Sequence, residues 1–178
     1  MSGPVLVLVG PPSSGKTTVG TAVARALGVP FRDTDADVEA RTGRTVADLF
    51  VERGEEHFRA LEREAVHRAL AGHDGVLALG GGAVLAEETR ALLTAHRGAG
   101  GTVVWLDVDL ASAARRVGLG RERPVLGLNP RATLRSLLQA RAPLYAEVAS
   151  ATVPTGGREP AEVVADVLAA VGAQRARS

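Results

Sequence analysis

The chain contains no cysteine, which excludes disulfides, thiolate metal sites and a cysteine nucleophile. It also has almost no net charge. Its 21 basic and 20 acidic residues leave +1 at pH 7, so the balance calls for neither nucleic acid nor a membrane as partner. Long apolar runs are missing: the run over residues 5–9 is too short to cross a bilayer. No basic residue precedes that run, as a secretory signal would require, and a cytoplasmic protein is expected. Repeats, low-complexity tracts and linker-like stretches are absent too, so the 178 residues are read as one domain.

Lysine is the most informative scarcity. Of the 21 basic residues, all but Lys16 are arginine. The composition has drifted to arginine wherever either cation serves, so Lys16 marks a place that needs a compact ammonium. The lack of any other lysine also rules out a guanine-reading N-K-x-D, and with it an ordinary GTPase switch.

Short apolar runs alternate with stretches of helical period. The pattern predicts strands over 4–9, 31–33, 76–79, 102–106 and 151–153. It predicts helices over 16–27, to about 41, from the Thr45 cap to about 53, and from 54 to 71. Further helices are expected over 86–95, 110–117, 130–148 with Pro143 inside, and 159–171. Asp109 reads as the cap of the 110–117 helix. Such alternation means a parallel sheet covered on both faces, with ligands beyond the carboxyl ends of its strands.

Gly10-Pro11-Pro12-Ser13-Ser14-Gly15-Lys16-Thr17 fits G-x-x-x-x-G-K-[ST] between the first strand and the first helix. Glycines let the backbone curl so that N–H groups face an anion, and the helix N-terminus adds partial positive charge. Lys16 can reach the β- and γ-phosphates, and the Thr17 hydroxyl can ligate Mg²⁺. A nucleoside triphosphate with Mg²⁺ is expected, and an acceptor kinase fits better than a switch.

Asp33-Thr34-Asp35 ends the second strand. Residues two apart on a strand share a side, so both carboxylates can face the cleft; alternatively Asp35 only caps the next helix. Gly80-Gly81-Gly82 follows the third strand and leaves bare N–H groups for a small polar substrate, unless it is simply a loose turn.

Arg141 falls on the apolar stripe of Leu134, Leu137, Leu138, Leu144, Tyr145 and Val148. It needs an anion there, whether a substrate or an internal carboxylate. Arg59, with Glu55 at i−4 and Glu62 at i+3, reads from spacing alone as an exposed ion pair. Residues 118–130, with Arg121, Glu122 and Arg123 among glycines and prolines, form a long aperiodic segment expected to be a lid. His57, His67, His73 and His96 show no ligand spacing.

Together these residues resemble the shikimate kinase family over nearly the whole chain. The ordered set carries the resemblance: the loop at 10–17, Asp33-Thr34-Asp35, Arg59 in Phe58-Arg59-Ala60-Leu61-Glu62, Gly80-Gly81-Gly82, Arg123-Pro124, and Arg141 in Arg141-Ala142-Pro143-Leu144-Tyr145. The resemblance implies an α/β, three-layer P-loop kinase fold with a five-stranded parallel sheet of order 2-3-1-4-5. An acceptor-binding helical region over about 34–62 and a lid over about 118–130 would complete it.

The same resemblance implies phosphorylation of the 3-hydroxyl of shikimate by ATP and Mg²⁺, on the route to aromatic amino acids, by a monomer. Asp35 would hold the acceptor hydroxyls and take the proton. Arg59, Arg141 and the Gly80, Gly81 and Gly82 backbone would bind shikimate. Asp33 would join Thr17 on Mg²⁺. Gly10, Ser13, Ser14, Gly15, Lys16, Thr17 and Thr18 would cradle the phosphates, Arg123 would contact them from the lid, and Arg116 and Arg158 would flank adenine. The family often has glycine where Ser13 stands, so a positive φ there would strain the loop. Two rivals remain: a kinase of a sugar acid such as gluconate, and a nucleotide-sensing module with no metabolite acceptor.

Overall fold

Four consecutive buried residues, Leu6–Val9, suit only a strand covered on both faces. The computed structural model describes residues 3–118 and 129–177 and puts this strand, β1, at the centre of the sheet. Around it lie β2 (Phe31–Asp33), β3 (Val76–Ala78), β4 (Val103–Asp107) and β5 (Ala151–Pro154). The order is β2-β3-β1-β4-β5 and every pairing is parallel. Leu6 stands opposite Val76, and Val7 opposite Val103.

The two-residue period of β1 separates two cores. Leu6 and Leu8 pack with Val23 of α1 (Lys16–Leu27) and Val167 of α8 (Pro160–Arg175). Val7 and Val9 face the opposite layer, meeting Val66, Leu93 and Val148 of α4 (Glu55–Gly72), α5 (Glu87–Gly98) and α7 (Pro130–Val148). Each such side chain contributes roughly 1.5–3 kcal/mol when fully buried. A third cluster of Val38, Leu49, Phe58 and Ala65 joins α2 (Thr34–Thr42) and α3 (Val46–Arg53) to the start of α4. This cluster holds residues 34–62 beside the sheet's carboxyl edge.

Caps behave as their residue types dictate. Thr45 accepts from the Asp48 N–H at 3.1 Å, and Asp109 accepts from Ser112 at 2.9 Å to start α6 (Leu110–Arg116). A short 3₁₀ turn, Ala83–Leu85, was not expected, because three residues show no period. Helix α8 runs to Arg175, past the last apolar position of its pattern. Helix α7 passes through Pro143 without ending. Among the described residues no helix is long and apolar enough to cross a membrane.

Candidate active site

The phosphate loop leaves β1 and feeds α1. Its cap, Gly15, has φ 94° and offers no side chain, so it does not compete for the first N–H groups of the helix. Ser13 has φ 65° and is the single non-glycine residue at positive φ among the described residues. The strain expected at this position is therefore present. The Ser13 carbonyl accepts from Arg116 Nη1 at 2.9 Å, which ties the strained peptide to the end of α6.

Lys16 folds back on its own loop. Its Nζ donates to the carbonyls of Gly10 at 2.8 Å and Pro11 at 2.9 Å. Burial lowers its pKa to about 8, with Asp35 and Asp33 opposing that effect. An ammonium held by backbone carbonyls can be released to a stronger acceptor such as phosphate.

The two aspartates converge, though not by strand alternation. Strand β2 ends at Asp33 and the chain turns into α2 at Thr34. Asp33, not Asp35, caps α2: its Oδ1 accepts from the Asp35 N–H at 2.9 Å. Its Oδ2 accepts from Thr17 Oγ1 at 3.1 Å. Freed from capping, Asp35 shares with Lys16, Thr17, Asp33 and Gly81 the wall of a cavity of about 290 Å³. Asp35 Oδ1 is buried with no hydrogen-bond partner. Burial first, then the charges of Asp33 and Glu62, push the Asp35 carboxyl up to about 6.

Beyond β3, the Gly80 N–H donates to the Thr34 hydroxyl at 3.1 Å. A Cβ on Gly80 would lie 2.5 Å from both Asp35 Oδ1 and Glu62 Oε1, so any side chain there would have to displace these carboxylates. Arg59 does make both ion pairs that its spacing predicts, with Glu62 at 2.6 Å and Glu55 at 3.4 Å. The pair with Glu62 is not exposed, however: the side chains are 18% and 3% accessible. Phe50 and Phe58 pack around the guanidinium, which also lies against Gly82. Burial raises the Glu62 carboxyl despite Arg59.

Arg141, half-buried on α7, makes no ion pair among the described residues. Its charge nevertheless acts on Lys16, Glu62 and Tyr145, which brings it to the same pocket. Glu62, Thr34 and Tyr145 are the site residues that sequence reading missed. Glu62 was read as a partner of Arg59 and Tyr145 as part of an apolar stripe, and each was quoted in the motif around its arginine without a role of its own.

A second cavity, about 360 Å³, opens on the far side of the phosphate loop and is lined by Ser13, Ser14, Gly15, Thr18, Arg116 and Arg158 among others. Arg116 is spread between Ser13 and the Thr155 carbonyl at 2.9 Å. Arg158 pairs with Asp166 at 2.8 Å. Arg123 and most of the expected lid fall within 119–128, outside the described residues.

A phosphate loop at the end of a central parallel strand, with carboxylates and cations gathered beside it, defines a P-loop phosphotransferase. The family model for shikimate kinase matches residues 12–172. A shikimate kinase of Salinispora arenicola is 61% identical over 170 residues, covering 96% of this chain and 99% of that one. Another from Salinispora tropica is 60% identical, covering 93% and 96%. The solved shikimate kinase of Acinetobacter baumannii, in complex with shikimate, superimposes with a TM-score of 0.83 at 35% identity, covering 94% and 92%. The chain belongs to the shikimate kinase family.

Proposed function

We propose that this chain transfers the γ-phosphoryl group of ATP to the 3-hydroxyl of shikimate, giving shikimate 3-phosphate and ADP. The observation that carries this is the meeting of Lys16, Asp33 and Asp35 around one 290 Å³ cavity, with Arg59 and Arg141 beside it. Arg59 and Arg141 take the acceptor carboxylate, and the Gly80–Gly82 backbone lines the same pocket. Asp35 accepts the reacting hydroxyl and takes its proton. With a pKa of about 6, it is ionised at neutral pH yet more basic than an ordinary aspartate.

Lys16 leaves the carbonyls of Gly10 and Pro11 for the β- and γ-phosphates, and the loop from Gly10 to Thr18 cradles them. Arg116 and Arg158 bound the nucleoside, and Arg123, from the family pattern, meets the transferring phosphate. Transfer is direct and in line with no covalent enzyme intermediate, because positioning and charge neutralisation suffice for a loose transition state.

Mg²⁺ fits the residues present. Thr17 and Asp33 bring a hydroxyl and a carboxylate oxygen within 3.1 Å of each other, the hard donors this ion prefers. Among the described residues no group of three or more His, Cys, Asp or Glu could hold a metal, which suits an ion shared with nucleotide phosphates. When bound, Mg²⁺ supplies charge neutralisation at those phosphates. We take the enzyme to act as a cytoplasmic monomer of one domain, with residues 34–62 serving the acceptor.

ADP release with ATP and Mg²⁺ across shikimate, quinate, gluconate and nucleoside monophosphates tests this. Release is expected with shikimate above all. Preference for gluconate, or release independent of any acceptor, would refute it.

A further inference from the structure

Tyr145, the one tyrosine of the chain, stands where α7 meets the glycine triplet. Its ring is buried and stacks on Trp105, with centroids 5.8 Å apart. Its hydroxyl donates to the Gly81 carbonyl at 2.5 Å. The carbonyls on either side are used by the 3₁₀ turn: Gly80 accepts from Ala83 and Gly82 from Leu85. The bond from Tyr145 therefore joins α7 to the triplet at the carbonyl between those two.

Arg141 lies one helical turn earlier on the same face of α7. Burial pushes the phenol up to about 12, and the charge and side-chain hydrogen bond of Arg141 work against that rise. At working pH the hydroxyl is a fixed donor, neither acid nor base.

We propose that Tyr145 is a positioning residue for the acceptor. Its hydroxyl fixes the Gly81–Gly82 backbone relative to α7, and so sets the separation between Gly82, with Arg59 against it, and Arg141. This rests on assigning Arg141 and the triplet to the shikimate pocket. A hydroxyl with only a structural task would lower stability and leave the acceptor and nucleotide Michaelis constants in their original ratio.

Tyr145→Phe keeps the ring and its packing on Trp105 and removes the hydroxyl, with its bond to the Gly81 carbonyl and its interaction with Arg141. The KM for shikimate is expected to rise about fivefold or more, the effect of one net hydrogen bond, with the KM for ATP unchanged. Trp105→Phe loosens the same packing but spares the hydroxyl, so it should melt earlier with an unaltered KM for shikimate. A Tyr145→Phe enzyme with the parental KM for shikimate overturns the proposal, and so does an equal rise in both variants. Arg141→Ala in the same assay separates the two levels. If it binds shikimate normally, the pocket assignment falls; if it alone weakens binding, only the role of Tyr145 falls.

Discussion

Replacing Asp35 by asparagine should stabilise the protein while disabling it. In the metal-free, nucleotide-free enzyme the Asp35 carboxyl is pushed from 3.8 up to about 6, chiefly by burial and then by Asp33 and Glu62. In the unfolded chain it ionises near its ordinary value. Between about 3.8 and 6 the unfolded state therefore sheds a proton that the folded state keeps. Stability falls as pH rises through that window, and above it the penalty is complete. The gap from 3.8 to about 6 amounts to about 3 kcal/mol at most. An asparagine would still lack a partner for one polar atom, so the gain at pH 7 should be roughly 1–3 kcal/mol. For a chain of this length each kcal/mol moves the melting midpoint by roughly 2–4 °C.

Thermal melts of parent and Asp35→Asn at pH 4, 5, 6 and 7 in metal-free buffer read this directly. The gain should be near zero at pH 4 and grow to its full size at pH 7. Turnover should fall by on the order of 10²-fold or more, because the acceptor proton has lost its base. A gain of equal size at pH 4 and 7, or a loss at pH 7, would refute the view that burial and crowding set this carboxylate.

Other substitutions read the remaining parts of the site. Gly80→Ala drives a Cβ into Asp35 and Glu62; overpacking of about 1–3 kcal/mol should raise the KM for shikimate and spare that for ATP, as steady-state kinetics can check. Lys16→Ala should cut kcat on the order of 10³-fold through lost phosphate stabilisation. Arg141→Ala should instead raise the KM for shikimate roughly tenfold or more, the effect of a lost charged hydrogen bond. Burial lowers His96 below 6.5, and its Nε2 is buried without a partner. As pH falls below 6.5 the unfolded chain binds this proton first and stability declines, so melts of His96→Leu should show a shallower acid slope.

The strands and helices were legible because apolar runs and glycine or threonine boundaries coincide along this chain; the sheet order came only from the resemblance to the shikimate kinase family. The phosphate loop was legible because its chemistry is local: eight consecutive residues do one task. The pocket of Asp35, Glu62, Arg59 and Gly80 was harder, since it forms only when β2, β3 and α4 are brought side by side. Spacing predicted the Arg59–Glu62 pair correctly but could not show that it is buried, because burial there depends on α3 and on Phe50 packing across it. Asp35 was open to a capping role until the structure showed Asp33 capping α2 in its place. Tyr145 showed as part of an apolar stripe and as the end of the motif around Arg141; neither announces that its hydroxyl reaches a carbonyl 64 residues away.

Lys16 makes the phosphate loop separately addressable by chemistry. Every other long-chain cation is a guanidinium, inert to acylating reagents, while this ammonium loses its proton at about 8. A mild acyl donor therefore finds one side-chain amine in the whole molecule. Modification at that atom should track loss of turnover mole for mole, and ATP should shield it, giving a direct count of competent sites in any preparation.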